Sequence, residues 1–229
     1  LPLRELNAQE IAELQARPCP GSADCPGPYR DFARDGQHFS SLCSEFIDSE
    51  GNYGETGLMM YEAMQQVERT NRGVAADGSL NPGGCSFKNN FDFGRACPNY
   101  QYMNGMQKDH VWVWLWASIA QAESSCDPAK DAEGIFNEVL GRNNLADGLF
   151  GLEYSADTRR VAGRDPRFCP HVAESDSKNL FFQSRCAVSI MYDRFCNSSV
   201  VNADSYWEQL RSSQREVTQL MQRHPLCQQ

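Results

Sequence analysis

The apolar positions of this chain follow two regimes that meet near residue 105. Up to that point, short helical patterns alternate with loops rich in glycine, proline and cysteine. Asn7, with Glu10 three residues on, makes a capping-box-like start for a first helix. RPCPGSADCPGPY carries four prolines and reads as a turn-rich loop. Leu58, Tyr61, Met64 and Val67 recur at helical spacing, and Gly73 stands where that helix stops. ADGSLNPGGC and RACPNYQYMNG are loops again. Beyond residue 105 the pattern is denser and predicts helices near 108–125, 131–140, 177–196 and 204–223. In the third of these, Phe181, Val188, Met191, Tyr192 and Phe195 form one apolar stripe. In the last, Trp207, Leu210, Val217, Leu220 and Met221 do the same, ending before Pro225. Strand signals are thin throughout, and no repeat or heptad array is present.

One stretch has an ambiguous period: VWVWLWASIAQAESSCDP, residues 111–128. Trp112, Trp114 and Trp116 alternate as they would in a strand or an aromatic platform for a sugar. The alternation is brief, and ASIAQAES beyond it is rich in helix formers. Wound as a helix, Trp112, Trp116, Ile119 and Ala120 share one face while Trp114 points elsewhere. A helix apolar nearly all round is a buried one, so core packing is the preferred reading of the tryptophans. Pro128 disfavours helical geometry at Asp127, which places the helix end between Ser124 and Cys126. Glu123 then sits in the last turn of a helix emerging from the core. Apolar neighbours and the negative end of the helix dipole both raise a carboxyl pKa. A carboxyl still protonated near neutrality can donate to a glycosidic oxygen. On residues alone, a solvated carboxylate at a frayed helix end is the commoner outcome.

The totals narrow the class. With 229 residues, 41% of them hydrophobic, the chain suits one large domain or two small ones. Its longest apolar run, Val111 to Ala120 with Ser118 inside it, is too short to span a bilayer. No basic-then-apolar leader opens the sequence, as expected of a mature chain after signal removal or of one never exported. Ten cysteines decide for export. They contain no C-x-x-C pair and the four histidines are scattered, so zinc-ligand spacing is missing and neither metal nor cofactor is expected. An even, dispersed set of cysteines indicates disulfides and a secreted or periplasmic location. Connectivity stays open; Cys19–Cys25 and Cys186–Cys196 are plausible short closures. The net charge of −9 argues against nucleic acid and anionic membrane as partners. Oligomeric state is not specified. Neither a G-x-S-x-G elbow nor a P-loop or dinucleotide fingerprint occurs.

Resemblance adds what spacing does not. AESSCDPA resembles the E-S-x-F-x-P-x-A signature of the soluble lytic transglycosylases, within the lysozyme-like superfamily that also holds the goose-type lysozymes. Glu123 and Ser124 match the Glu-Ser pair and Pro128 the Pro, Cys126 replaces an apolar residue, and Ala129 stands one position before the signature's Ala. ADGLFGL is similar to the G-L-M-Q or G-L-F-Q segment opposite the catalytic glutamate. Gly148, Leu149 and Phe150 fit, while Gly151 stands in place of Gln. SKNLFFQSRCAVSIMYDRF is similar to a helix written roughly N-I-x-x-G-x-x-Y-L, with Asn179 and Tyr192 as counterparts. The three blocks keep the family's order and cover about residues 108–200. The later Tyr-Asn-Ala-Gly block is not recognisable.

The resemblance implies a mainly α, lysozyme-like (α+β) catalytic core, read over residues 106–229. For the cysteine-rich, loop-rich residues 1–105, which resemble no family, short helices and cysteines that can tie them down favour a wrap on that core over a separate domain. It implies cleavage of β-1,4 bonds in the glycan strands of peptidoglycan, with Glu123 protonating the leaving oxygen. The substrate's own 6-hydroxyl or a water then completes the reaction, the water placed by a second carboxylate. Candidates for that second acid are Asp147, Glu153 and Asp157, though a carboxylate in such a position is more often a plain surface charge. Ser124, Gly148, Leu149, Phe150, Gly151, Tyr154 and Tyr192 are candidate substrate contacts. Ser124 could equally cap the helix, and the tyrosines could equally be core or rim. A pI near 4.9 gains little from anionic wall and suits de-N-acetylated, cationic glycan better. In overall character the chain resembles lysozymes that predatory bacteria direct at modified prey walls. Two other readings remain: an inactive lysozyme-like glycan-binding protein, and a non-enzymatic disulfide-rich structural or inhibitor protein.

Overall fold

The computed structural model describes residues 8–9, 12, 41–48, 51–72, 85–86, 93–129, 136–137, 142–143, 146–153, 179–197 and 215–228. Four helices dominate them: α1 Glu55–Arg72, α2 Gly105–Ser124, α3 Leu180–Asn197 and α4 Arg215–Gln222. A short 3₁₀ turn at Ser41–Glu45 precedes α1, and two more, Gly94–Ala96 and Tyr100–Tyr102, lie between α1 and α2. Two small antiparallel hairpins lie between α2 and α3. One pairs β1 Phe136–Asn137 with β2 Arg142–Asn143; the other pairs β3 Ala146–Asp147 with β4 Leu152–Glu153. The fold is mainly α with a minor β part, as expected.

Helix α2 is the axis of the core. Every residue from Asp109 to Ala120 is buried, Trp112, Trp114 and Trp116 essentially completely. The alternating tryptophans are therefore helical core residues. Asn104 caps the start, its side chain accepting from the Gln107 N–H while the Gln107 side chain accepts from the Asn104 N–H. Two of the three buried indoles bond their N–H groups within the core: Trp112 donates to the Tyr100 hydroxyl at 2.8 Å and Trp114 to the Leu220 carbonyl at 2.9 Å. Helix α1 packs on both α2 and α3, and α4 packs on α2. One continuous apolar cluster runs from Cys43 to Cys227.

Two cystines close long loops around this core. Cys43 pairs with Cys126 and Cys97 with Cys227; Cys85 and Cys186 are also oxidised. Cys19, Cys25 and the Cys196 side chain lie outside the described residues, as do Asn7 and Glu10.

Several expectations need correction. The helix expected over 131–140 is contradicted at Phe136–Asn137, which form a strand. Gly134 weakens a helix by about 1 kcal/mol, and ten residues are too few to hold one without strong packing. Helix α4 is described from Arg215, so Trp207 and Leu210 lie outside the described residues, while Val217, Leu220 and Met221 are buried. Phe181 does not join the apolar stripe of α3. It is exposed beneath the Arg185 guanidinium, 4.3 Å from the ring centre. Leu58 is exposed likewise, because α1 buries Met60, Ala63, Met64 and Val67 instead.

Polar groups are also deep in the core. The N–H of Leu226 donates to Nδ1 of His224 at 3.2 Å, which leaves that ring's proton on Nε2. Nε2 lies 2.8 Å from Nδ1 of His110, and Nε2 of His110 lies 3.0 Å from the Gly51 carbonyl. The bonds run in one direction with both imidazoles neutral. Burial lowers the His110 pKa to about 4. Burial, then the neighbouring His110, pushes His224 well below its ordinary value. Both rings take up protons on unfolding, near pH 6.5. The stability this pair contributes is thus fully present above that pH and is lost progressively as pH falls below it. Melting temperatures measured from pH 7 to pH 5 should fall steadily; a flat profile over that window would rule out a neutral pair.

Candidate active site

The end of α2 is unusually constrained. Ser125 is the C-cap at φ 57° and Cys126 follows at φ 61°, two consecutive left-handed residues without glycine. Each costs about 1 kcal/mol or more and persists only where its surroundings hold it. The Ser125 N–H bonds to Gln121 and the Cys126 N–H to Ala120, both at 3.0 Å. Cys126 is buried and tied to Cys43. The cystine fills the place where the lytic transglycosylase signature has an apolar side chain. The helix therefore stops at Ser124, and Glu123 is left half-buried in its last turn.

Facing it is the second hairpin. Gly148 to Gly151 form the turn between β3 and β4, closed by the Gly151 N–H to the Gly148 carbonyl at 3.3 Å. Both glycines have positive φ, 75° and 54°. The turn is rooted in the core by its two middle residues. Leu149 and Phe150 are fully buried, and the Phe150 ring meets Trp116 edge-on at 5.4 Å and Phe46 at 6.2 Å. Gly151 then lies against Glu123: a Cβ built there would stand 3.0 Å from Oε2 of the carboxylate.

Two side chains hold the turn in this place. Ser124, buried, has its hydroxyl 2.9 Å from the carbonyls of both Ala120 and Leu149, which share its single proton. Gln183, fully buried in the first turn of α3, accepts from the Leu149 N–H at 2.7 Å and donates to the Pro128 carbonyl at 3.2 Å. The Leu149 peptide is thus clamped at both its N–H and its C=O. Asn179 caps α3, accepting from the Phe181 N–H at 3.0 Å.

The structure thus brings together Glu123, Ser124, Gly148, Leu149, Phe150 and Gly151. Of these, Ser124, Leu149 and Phe150 have their side chains in the interior and shape the site through the backbone. Tyr192 is buried and its hydroxyl donates to the Cys85 carbonyl at 3.2 Å. Asp147 and Glu153 belong to the strands flanking the turn, Asp147 opposite Leu152 and Glu153 opposite Ala146. Tyr154 and Asp157 lie outside the described residues. Sequence reasoning missed Gln183. The available signal was its register: counted from Asn179, it stands where N-I-x-x-G has glycine. Among the described residues no group of three or more His, Cys, Asp or Glu is arranged to hold a metal ion, and no helix is long and apolar enough to cross a membrane.

A buried central helix ending in a glutamate beside a glycine turn, within a mainly α, cystine-tied body, is a lysozyme-like fold. Among solved structures the chain is similar to the Bdellovibrio lysozyme-like protein Bd0314 DslA. Its wild-type form and two mutants, each with a different glutamate changed to glutamine, all match with a TM-score of 0.55 and 16% identity, over 76% of this chain and 91% of that one. No family model matches the sequence, and no curated protein matches it.

The two glycines predict separable effects. Gly148→Ala drives a methyl into the Gln183 amide at a positive φ and should cost about 2–4 kcal/mol. Gly151→Ala meets only the mobile end of Glu123 and should cost about 1–2 kcal/mol. Chemical denaturation compares them, and equal losses would contradict this difference in room.

Proposed function

We propose that the protein is a secreted glycosidase that cuts β-1,4 bonds in the glycan strands of bacterial peptidoglycan, with Glu123 as general acid. The observation that carries this reading is the placement of the Glu123 carboxylate. It leaves a buried helix at its negative end and lies against Gly151 of the turn, where a Cβ would stand 3.0 Å from Oε2. Apolar residues behind the turn limit hydration on that side, and both influences favour the protonated acid. A sugar oxygen then receives the proton as the glycosidic bond lengthens, and the carboxylate takes one back from the entering hydroxyl. That hydroxyl is either the substrate's own or water held by a second carboxylate, for which Asp147, Glu153 and Asp157 are the candidates. The lysozyme-like fold supports the reading, as does the pair of glutamate-to-glutamine mutants made in Bd0314 DslA.

Export fits the cystines. Residues 1–105 are read as a wrap on the catalytic part, supported by two cystines that join Cys43 and Cys97 to positions beyond 105. Purified protein should release soluble fragments from peptidoglycan sacculi, and Glu123→Gln should reduce the rate by about 10²–10⁴-fold with an unchanged melting profile. Binding without release by the wild type would instead mark an inactive glycan-binding protein.

The net charge of −9 further favours glycan whose N-acetyl groups have been removed, leaving ammonium groups. Initial rates on deacetylated sacculi should exceed those on acetylated sacculi, with the difference shrinking as salt rises. Equal or faster digestion of the acetylated form would sink this preference.

A further inference from the structure

We infer that Gln183 is a positioning residue: it sets the distance between the Gly148–Gly151 turn and the Glu123 carboxylate. Its catalytic consequence rests on the reading of Glu123 as general acid; its geometry does not. Gln183 is fully buried, and an amide in that environment is costly unless both its ends are bonded. Both are, and to backbone in two different segments. Oε1 takes the Leu149 N–H from the middle of the turn, and Nε2 gives to the Pro128 carbonyl just beyond α2. Neither bond belongs to a helix or a strand ladder. One side chain therefore joins α3, the turn and the chain leaving α2.

The chemistry at this position is restrictive. An N–H can only donate and a C=O can only accept, so the staple needs one acceptor and one donor on the same planar group. A primary amide supplies both; an ionised carboxylate supplies no donor and a thioether supplies neither. The turn is shaped to the staple in return, because a Cβ at Gly148 would overlap the Gln183 amide. On the other side of the same residue, the Leu149 carbonyl receives Ser124, the neighbour of Glu123. Two residues past Leu149 stands Gly151, against Oε2. Any movement of Leu149 is thus passed to the surface that Glu123 faces.

The test uses Gln183→Met and Gln183→Glu in the full chain, with the Glu123 carboxyl titration followed by carbon NMR alongside steady-state kinetics on soluble glycan fragments. In Gln183→Met both backbone partners lose their bonds. The midpoint of Glu123 should move by about half a pH unit or more, and kcat should fall about 10–100-fold while KM changes by less than roughly threefold. In Gln183→Glu the introduced carboxyl restores both bonds when neutral and loses one when ionised. Activity at pH 5.5 should approach the wild type and decline through an additional titration that the wild type lacks.

A lowered melting temperature with unchanged Glu123 titration and unchanged kcat would overturn the proposal, leaving Gln183 as core filling. Should Gln183→Met fail to fold, a kcat profile for Gln183→Glu without the additional titration would overturn it as well. A wild type without activity would sink the general-acid reading alone, because the carboxyl titration still decides the role of Gln183.

Discussion

The structure depends on one constraint: a helix buried on all sides must still bring both its ends to polar partners. Along α2 the apolar side chains leave nothing for water to solvate, so the indole N–H groups of Trp112 and Trp114 are bonded within the protein. Four N–H groups at one end and four carbonyls at the other have no partner inside the helix. The Asn104–Gln107 capping box answers the first need. At the other end, Ser125 and Cys126 turn back in left-handed conformation and bond to Gln121 and Ala120. Burial of the middle therefore forces elaborate structure at the termini, and the carboxyl end is where Glu123 emerges.

Much of the site is a consequence of finishing that helix. The left-handed pair would be unstable alone, and the cystine to Cys43 anchors it. On the chain-entropy account, closing so long a loop contributes about 4–5 kcal/mol, more than the roughly 2–3 kcal/mol of strain at the two residues. Ser124, whose neighbour is Glu123, is thereby fixed well enough to hold the Leu149 carbonyl. The arrangement around Glu123 is thus built from structural parts, and the glutamate is set in a frame whose energy comes from the core.

The parts legible in the sequence were those governed by local rules. The helical nature of residues 111–124 followed from the residues after the tryptophans, and its end from Pro128. The association of Glu123 with Gly148–Gly151 was implied by family resemblance alone, since a contact across 28 residues has no local signature. The hairpin at Phe136–Asn143 was not legible, because strands of two residues are too short for any period to show. Gln183 was not legible as a contact, since a glutamine on a helix reads as surface until the turn that needs it is in place. The histidine chain was equally hidden. His110 and His224 are 114 residues apart, and each alone is an unremarkable imidazole.

Two departures from the family pattern become one arrangement in three dimensions. Where the resemblance has Gln at the end of the cleft-lining segment, this chain has Gly151; where it has Gly near the start of the later helix, this chain has Gln183. A glutamine at 151 would have to adopt a φ of 54° and place its Cβ 3.0 Å from the Glu123 carboxylate. Glycine removes both costs and lets the turn close against the acid. An amide has meanwhile been supplied from beneath, on α3, where it bonds the middle of the same turn. At 183 a glycine would leave the Leu149 N–H and the Pro128 carbonyl without these bonds, at about 1–3 kcal/mol for each group left buried and unsatisfied. The Gln183 amide thus acts on the carboxylate through the position of the turn.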